Sequence, residues 1–330
     1  MDLVNHLEGR LLFAVPKKGR LLQATLDLLN GADIQFRREH RLDIALCKNL
    51  PIALVFLPAS DIPTFVGEGR VSLGITGRDT VAEYMSSVER KNRKRTELGK
   101  SRVDSEALDI KCGCREIMDL NFGMCKLQVQ VPENGAYKKP MDLIGKNIGT
   151  SFVNLAKDYF SSLEKTAMKL TNGEAAKATL KTNVIELSGS VEAACALGVA
   201  DGIVDLVESG ETMKAAGLKA IDTVVNSTAI LIQNFHSSDK EMIDLIVSRL
   251  RGIVAAQKYV LCQYNVARSN LEAAIKITPG KRAATITALE DEGWVAVSAM
   301  VEKNSIASSM DKLSLIGAED ILVIKITNSR

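Results

Sequence analysis

The chain has 330 residues, enough for about two domains and for a core that needs no disulfide or metal to hold it. Hydrophobic residues make up 46% and charged residues 25%, and 42 lysines and arginines against 40 aspartates and glutamates leave a net charge of +2. That balance excludes a basic arm running over the whole chain and an acidic solvating protein. With 4% aromatics and one tryptophan there is little to stack bases on, so no nucleic-acid partner is expected.

The amino terminus lacks a basic start followed by an apolar stretch, because Asp2, Glu8 and Arg10 interrupt it. No window approaches 18 uninterrupted apolar residues, so no membrane span is expected and the chain reads as cytoplasmic. Six cysteines are scattered along it. Cys112 and Cys114 have one residue between them and no histidine cluster beside them, so all six read as free thiols rather than metal ligands. His6, His40 and His236 have no partner pattern and read as structural or exposed.

The first third alternates strand and helix. Leu11–Val15 is a short apolar run ended by Pro16. Leu21, Leu22, Leu26 and Leu29 recur at helical spacing up to Gly31. Residues 44–46, 52–57 and 71–76 read as further strands, so a mainly parallel α/β sheet is expected. The stretch that begins at Arg90 carries seven basic residues in thirteen and no apolar period, so residues 90–106 read as an exposed, mobile basic insertion.

A second α/β unit begins near Phe122. Cys125–Val131 reads as a strand, Ile144–Thr150 as a strand entering a loop, and residues 153–170 as a helix with apolar positions at 153, 156, 160, 163 and 167. Val184–Leu187 is expected to return the chain to the first lobe. Residues 239–258 have a helical apolar period, and after them comes β-α-β-β-α-β, the ferredoxin-like order. The expected domains are therefore a first lobe of residues 1–120 and 188–225, an inserted second lobe of 121–187, a linker of 226–238, and a ferredoxin-like domain of 239–330.

The most informative stretch is EAACALGVADGIVDLVESGETM, residues 192–213. Asp205 lies in an apolar strand-like run. The following Ser209-Gly210-Glu211-Thr212 turn offers backbone N–H groups and two hydroxyls at a helix start. Such a turn can cradle an anion. It can equally be an ordinary helix cap.

The stretch resembles the signature of the ATP phosphoribosyltransferase family at Glu192, Gly198, Ala200, Ile203, Asp205, Ser209, Gly210, Thr212 and Met213. Lys17-Lys18-Gly19-Arg20, Leu73–Asp79, Thr150-Ser151-Phe152, Gly293–Val297 and Met310–Leu313 resemble other segments of its long form. Nearly the whole chain is covered, the basic insertion apart. The resemblance implies a two-lobed catalytic core arranged like a periplasmic binding protein, followed by a C-terminal regulatory domain. It also implies displacement of pyrophosphate from C1 of phosphoribosyl pyrophosphate by N1 of ATP, as the first step of histidine biosynthesis. The 5-phosphate would sit on Ser209, Gly210, Glu211 and Thr212. Glu192 and Asp205 would face the ribose as it turns cationic. Lys17 and Arg20, with Mg²⁺, would face the departing pyrophosphate. Arg41, Asp79, Thr150, Ser151 and Asn154 would meet the nucleotide. Histidine is the implied feedback inhibitor and a dimer or hexamer the implied assembly. A two-lobed solute-binding module is the alternative for such an architecture, but it has no need of a basic loop directed at pyrophosphate.

Overall fold

The structure is a computed structural model and describes residues 7–38, 42–97, 113–170, 181–237 and 239–329. Its contacts divide the chain into two compact units, Met1–Leu26 with Gln35–Lys240, and Asp27–Ile34 with Glu241–Arg330.

In the first unit the strands are β1 (Leu11–Pro16), β2 (Ile44–Leu46), β3 (Ile52–Leu57), β4 (Leu73–Gly77), β5 (Cys114–Asp119) and β6 (Cys125–Pro132). They continue with β7 (Asn147–Thr150), β8 (Asn183–Glu186), β9 (Gly202–Val207), β10 (Leu218–Ser227) and β11 (Ala229–Asn234). The helices are α1 (Leu22–Gly31), α2 (Ile62–Gly67), α3 (Arg78–Glu97), α4 (Val153–Leu170), α5 (Ala193–Ala196) and α6 (Glu211–Ala215). Helix α1 runs on into residues of the second unit. One sheet has six strands in the order β2-β3-β1-β4-β11-β5, and the other has five in the order β10-β6-β9-β7-β8. The two sheets are the two lobes, and the chain crosses between them after β5 and again between β10 and β11.

Several expectations change here. The sheets are mixed rather than mainly parallel. β1 lies parallel to β3 and β4, and β7 parallel to β8 and β9, but β11 runs antiparallel to β4 and β5, and β6 antiparallel to β9 and β10. Val184–Leu187 does not return the chain to the first lobe, because β8 lies in the second sheet, and residues 188–225 do not rejoin it either, because β9 and β10 lie in that sheet too. The expected linker of 226–238 holds β11, all six residues of which are buried between β4 and β5. The basic stretch is not a loop from its start, because α3 runs on to Glu97. Residues 98–106 lie outside the described residues, as do Cys112, His6 and His40.

In the first sheet β4 and β11 are buried along their whole length, so both faces are covered, whereas β6 of the second sheet turns alternate residues into a core on one face. Leu127, Val129, Val131 and Ile148 meet Ala156 and Phe160 of α4 in a closed core. This is the amphipathic period read from the sequence, now with its partner. In the first sheet Ile230 and Ile232 of β11 join Ala14, Ile62 and Val66.

The second unit contains α7 (Lys240–Lys258), β12 (Tyr259–Ala267), α8 (Leu271–Ile277), β13 (Thr285–Ala288), β14 (Trp294–Glu302), α9 (Ile306–Leu315) and β15 (Glu319–Lys325). Its sheet order is β13-β14-β12-β15, with all three pairings antiparallel, which is the ferredoxin-like arrangement. Val260, Cys262, Tyr264 and Val266 alternate into its core, where the Tyr264 hydroxyl lies 2.7 Å from Thr278 Oγ1. Residues 27–34 join this unit, which the reading of 239–330 as self-contained missed. Arg249 donates to the carbonyls of Ala32 (3.2 Å) and Asp33 (3.0 Å).

Candidate active site

Four loops leave the carboxyl ends of strands in the first unit, after β1, β4, β7 and β9. Open α/β sheets hold ligands at these ends. Of the expected site residues that the structure describes, all but Glu192 stand on or near one of them, and the structure separates those that face outward from those held inside the fold.

The loop after β9 faces outward. Ser209, Glu211 and Thr212 are exposed, and Gly210 caps α6 in the left-handed conformation at φ 82°. A residue with a Cβ would be strained there. The first N–H groups of a helix have no partner inside it, so this turn presents donors and two hydroxyls to a ligand. The Ser209 hydroxyl is 3.4 Å from the Glu211 N–H, a weak bond that a phosphate oxygen could replace.

Behind this loop stands Asp205. Burial raises its carboxyl above the usual range, the Leu206 N–H at 2.8 Å opposes this, and the nearby charge of Glu192 raises it further. Glu192 stands just before the short α5, and its side chain makes no capping bond to it. The two expected carboxylates are therefore close enough to feel each other, an arrangement that favours a positive centre between them. The buried Gln130 donates to the Asp205 carbonyl at 3.2 Å and steadies the strand.

The basic loop after β1 divides. Lys17 is exposed and pairs with Asp43 at 2.7 Å. Arg20 is not a free surface cation. Its guanidinium donates to the Gly123 carbonyl (2.5 Å) and the Cys125 thiol (3.0 Å), and pairs with Glu208 (3.2 Å) and more distantly with Asp79 (4.0 Å). It ties the first lobe to a crossing and to the residue just before Ser209.

Asp79 opens α3, as expected, but its side chain is 1% exposed. It accepts from the Ser227 hydroxyl (2.5 Å), whose oxygen in turn accepts from the Asp79 N–H (3.0 Å). Beside it Arg78 binds both oxygens of Glu116 (2.7 and 3.1 Å), Asp119 (3.0 Å) and the Thr228 hydroxyl (3.1 Å). Burial alone would raise the Asp119 carboxyl, but Thr228, the Asn121 N–H and Arg78 outweigh it and hold it below the usual range. The start of α3 thus fastens both crossings. Nothing in its sequence distinguished it from a ligand-binding turn.

Thr150 is also turned inward. Its hydroxyl donates to the Val204 carbonyl (2.6 Å) and accepts from the Phe152 N–H (2.9 Å), so this buried side chain has no O–H left to give a phosphate. Ser151 and Asn154 do line a cleft, of about 500 Å³, together with Ser60, Thr80, Glu83 and Lys91. Arg41 lies outside the described residues.

Glu83, Glu208 and Arg78 were missed from the sequence. Their partners are remote along the chain, so no local pattern could have marked them.

Among the described residues no cluster of three or more histidines, cysteines or acids stands together, and no helix is long and apolar enough to cross a membrane. The free thiols of Cys47, Cys114 and Cys195 are pushed up to about 11 by burial, which makes them poor nucleophiles.

Fold and site together define an α/β protein of two lobes that presents a donor-rich turn and a carboxylate pair at its strand ends. The family profile described as ATP phosphoribosyltransferase matches residues 58–252, and the one described as HisG, C-terminal domain matches residues 256–328. The ATP phosphoribosyltransferase of Yarrowia lipolytica is 56% identical over 330 residues and that of Saccharomyces cerevisiae 52% over 331, with each alignment covering 100% of both chains. Among solved structures, the ATP phosphoribosyl transferase (HisG:HisZ) complex from Thermotoga maritima contains a similar fold. There the TM-score is 0.54 at 20% identity, over 73% of this chain and 96% of that one. The chain belongs to the ATP phosphoribosyltransferase family, glycosyltransferases of histidine biosynthesis.

Proposed function

We propose that the chain transfers the phosphoribosyl group of phosphoribosyl pyrophosphate to N1 of the ATP adenine and releases pyrophosphate. The observation that carries this reading is the outward Ser209–Thr212 turn with Asp205 and Glu192 behind it. Bond breaking at C1 leaves positive charge on the ribose. A carboxylate whose proton affinity is raised by burial gains most when a cation arrives beside it. The turn holds the 5-phosphate through N–H groups and hydroxyls, which keeps C1 over the two acids. Ser151 and Asn154 place a nucleotide in the cleft after β7, and Lys17 faces the departing pyrophosphate.

Mg²⁺ fits this chemistry. It usually takes one or two protein carboxylates and completes its shell with substrate phosphates and water. Glu192 and Asp205 are the acids that could serve, and the ion would neutralise charge on pyrophosphate. The ferredoxin-like domain is the proposed histidine-binding site, self-association as a dimer or hexamer the proposed assembly, and the cytoplasm the proposed location.

The deciding experiment incubates the full chain with ATP, phosphoribosyl pyrophosphate and Mg²⁺ and follows the absorbance of N1-ribosylated adenine. Product is expected, with its formation suppressed by added histidine and at least 100-fold slower in Asp205→Ala, the scale of removing one electrostatic group from a transition state. No product from the folded chain would overturn the reading. Product that histidine leaves unchanged would overturn the regulatory part alone.

A further inference from the structure

Helices α3 and α4 belong to different lobes, since α3 follows β4 of the six-stranded sheet and α4 follows β7 of the five-stranded one. They nevertheless meet through polar groups that line up along both. Glu83, Ser86 and Arg90 fall three and four residues apart and so share one side of α3. On α4, Asn154 and Asp158 are four residues apart and share a side, and Leu155 joins them through its backbone N–H alone.

One end of the contact is a helix cap supplied from across the cleft. The first turn of a helix leaves N–H groups without partners, and these are usually met by a residue just before it in the chain. Here the acceptor is the Glu83 carboxylate. One oxygen takes the Asn154 N–H and the Asn154 side-chain amide, and the other takes the Leu155 N–H, each at 2.8 Å. A carboxylate at this end also meets the favourable end of the helix dipole. The other end is Asp158, which accepts from both the Ser86 hydroxyl and the Arg90 guanidinium. Arg90 is the first residue of the stretch that the sequence marked as solvated. The same Glu83, with Ser151 and Asn154, lines the 500 Å³ cleft.

We propose that Glu83 is a positioning residue. With Ser86 and Arg90 it straps α3 to the first turns of α4, and so fixes where the Ser151–Asn154 wall stands relative to the first lobe. The two crossings join the lobes covalently, and this strap is a further, breakable join at the cleft itself. Breaking it leaves the reacting groups intact but lets the nucleotide wall drift. Substrate then has to pull the wall back, which raises KM and spares kcat. The activity arm of this proposal rests on the reading of the cleft as the substrate site, whereas the exchange arm does not.

The test compares the full chain with Glu83→Ala and Glu83→Gln. Amide exchange in peptides spanning 152–158 should speed up at least tenfold in Glu83→Ala, while the interior of α4 beyond Phe160 keeps its rate. KM for ATP should rise several-fold with kcat changed less than twofold. Glu83→Gln, which keeps one acceptor oxygen, should recover part of both effects. Asp158→Ala breaks the other end at a position 52% exposed, where loss of folding is not expected, and should raise KM in the same sense but less. It decides the matter if Glu83→Ala does not fold. Unchanged exchange at 152–158 would overturn the strap. Faster exchange with KM unmoved would reduce Glu83 to a helix cap and overturn the positioning role. Faster exchange in a chain without transferase activity would uphold the strap and refute the functional reading instead.

Discussion

Two turns in this molecule have the same kind of local sequence and opposite fates. Gly77-Arg78-Asp79 leads from β4 into α3, and Gly210-Glu211-Thr212 leads from β9 into α6. Each is a glycine just before a helix, with charged or hydroxyl residues opening the helix, and Gly77 is also the last residue of its strand. The first is closed, because the Arg78 N–H reaches the Thr228 carbonyl at 2.9 Å, the Asp79 N–H reaches Ser227, and both side chains are bound to the crossings. The second is open, with Glu211 and Thr212 exposed. A donor-rich turn is thus free to meet a ligand only where tertiary structure leaves it unfilled. The strand β10–β11 return fills the first and passes the second by.

The sharpest way to break this comparison is Asp79→Ala. It leaves the Ser227 hydroxyl and one side of Arg20 without their acceptor in a buried place, and should cost about 3 kcal/mol of stability, seen as a lower urea midpoint. A change under about 0.5 kcal/mol would mean that the first turn is not structural after all.

Thr212→Val is the opposite case. Losing one hydroxyl from a phosphate cradle is worth about 1.5–3 kcal/mol, so KM for phosphoribosyl pyrophosphate should rise roughly 10- to 100-fold. The melting temperature should stay put, because the side chain is exposed. Equal losses of binding and stability would erase the contrast between the turns.

Arg20 lies between the two regions, and its variant sharpens the picture. As a free loop cation it would have changed turnover alone. Its bonds to Gly123 and Cys125 instead predict that Arg20→Ala lowers stability by roughly 1–2 kcal/mol, discounted for its 26% exposure, along with turnover. Calorimetry beside steady-state rates would show both falling.

The smallest effect is one of pH. Because the folded Asp205 carboxyl is raised, the native chain holds that proton more tightly than the unfolded one. The stability it lends is full below the ordinary carboxylate value of about 3.9 and is lost as pH rises through the folded value. Asp205→Asn should remove this decline, so that wild type and variant diverge as pH climbs from about 4, with the variant the more stable. Parallel stability curves would contradict a buried, acid-flanked Asp205.

Much of the architecture could be read from the chain alone. Local period and punctuation mark β1, α1, α4, α7 and the whole ferredoxin-like order, since each depends on residues within a turn or two of one another. The 192–213 stretch likewise carries the resemblance to its family in closely spaced residues. Tertiary structure alone decided the rest. Whether β9 belongs to the first or the second sheet, whether 229–234 is a linker or a central strand, and whether Asp79, Thr150 and Arg20 face a ligand or the fold all depend on partners far away along the chain, from Val204 for Thr150 to Glu208 for Arg20. A buried carboxylate and an exposed one share the same letter, and what separates them is which distant hydroxyl or guanidinium the folded chain sets beside them.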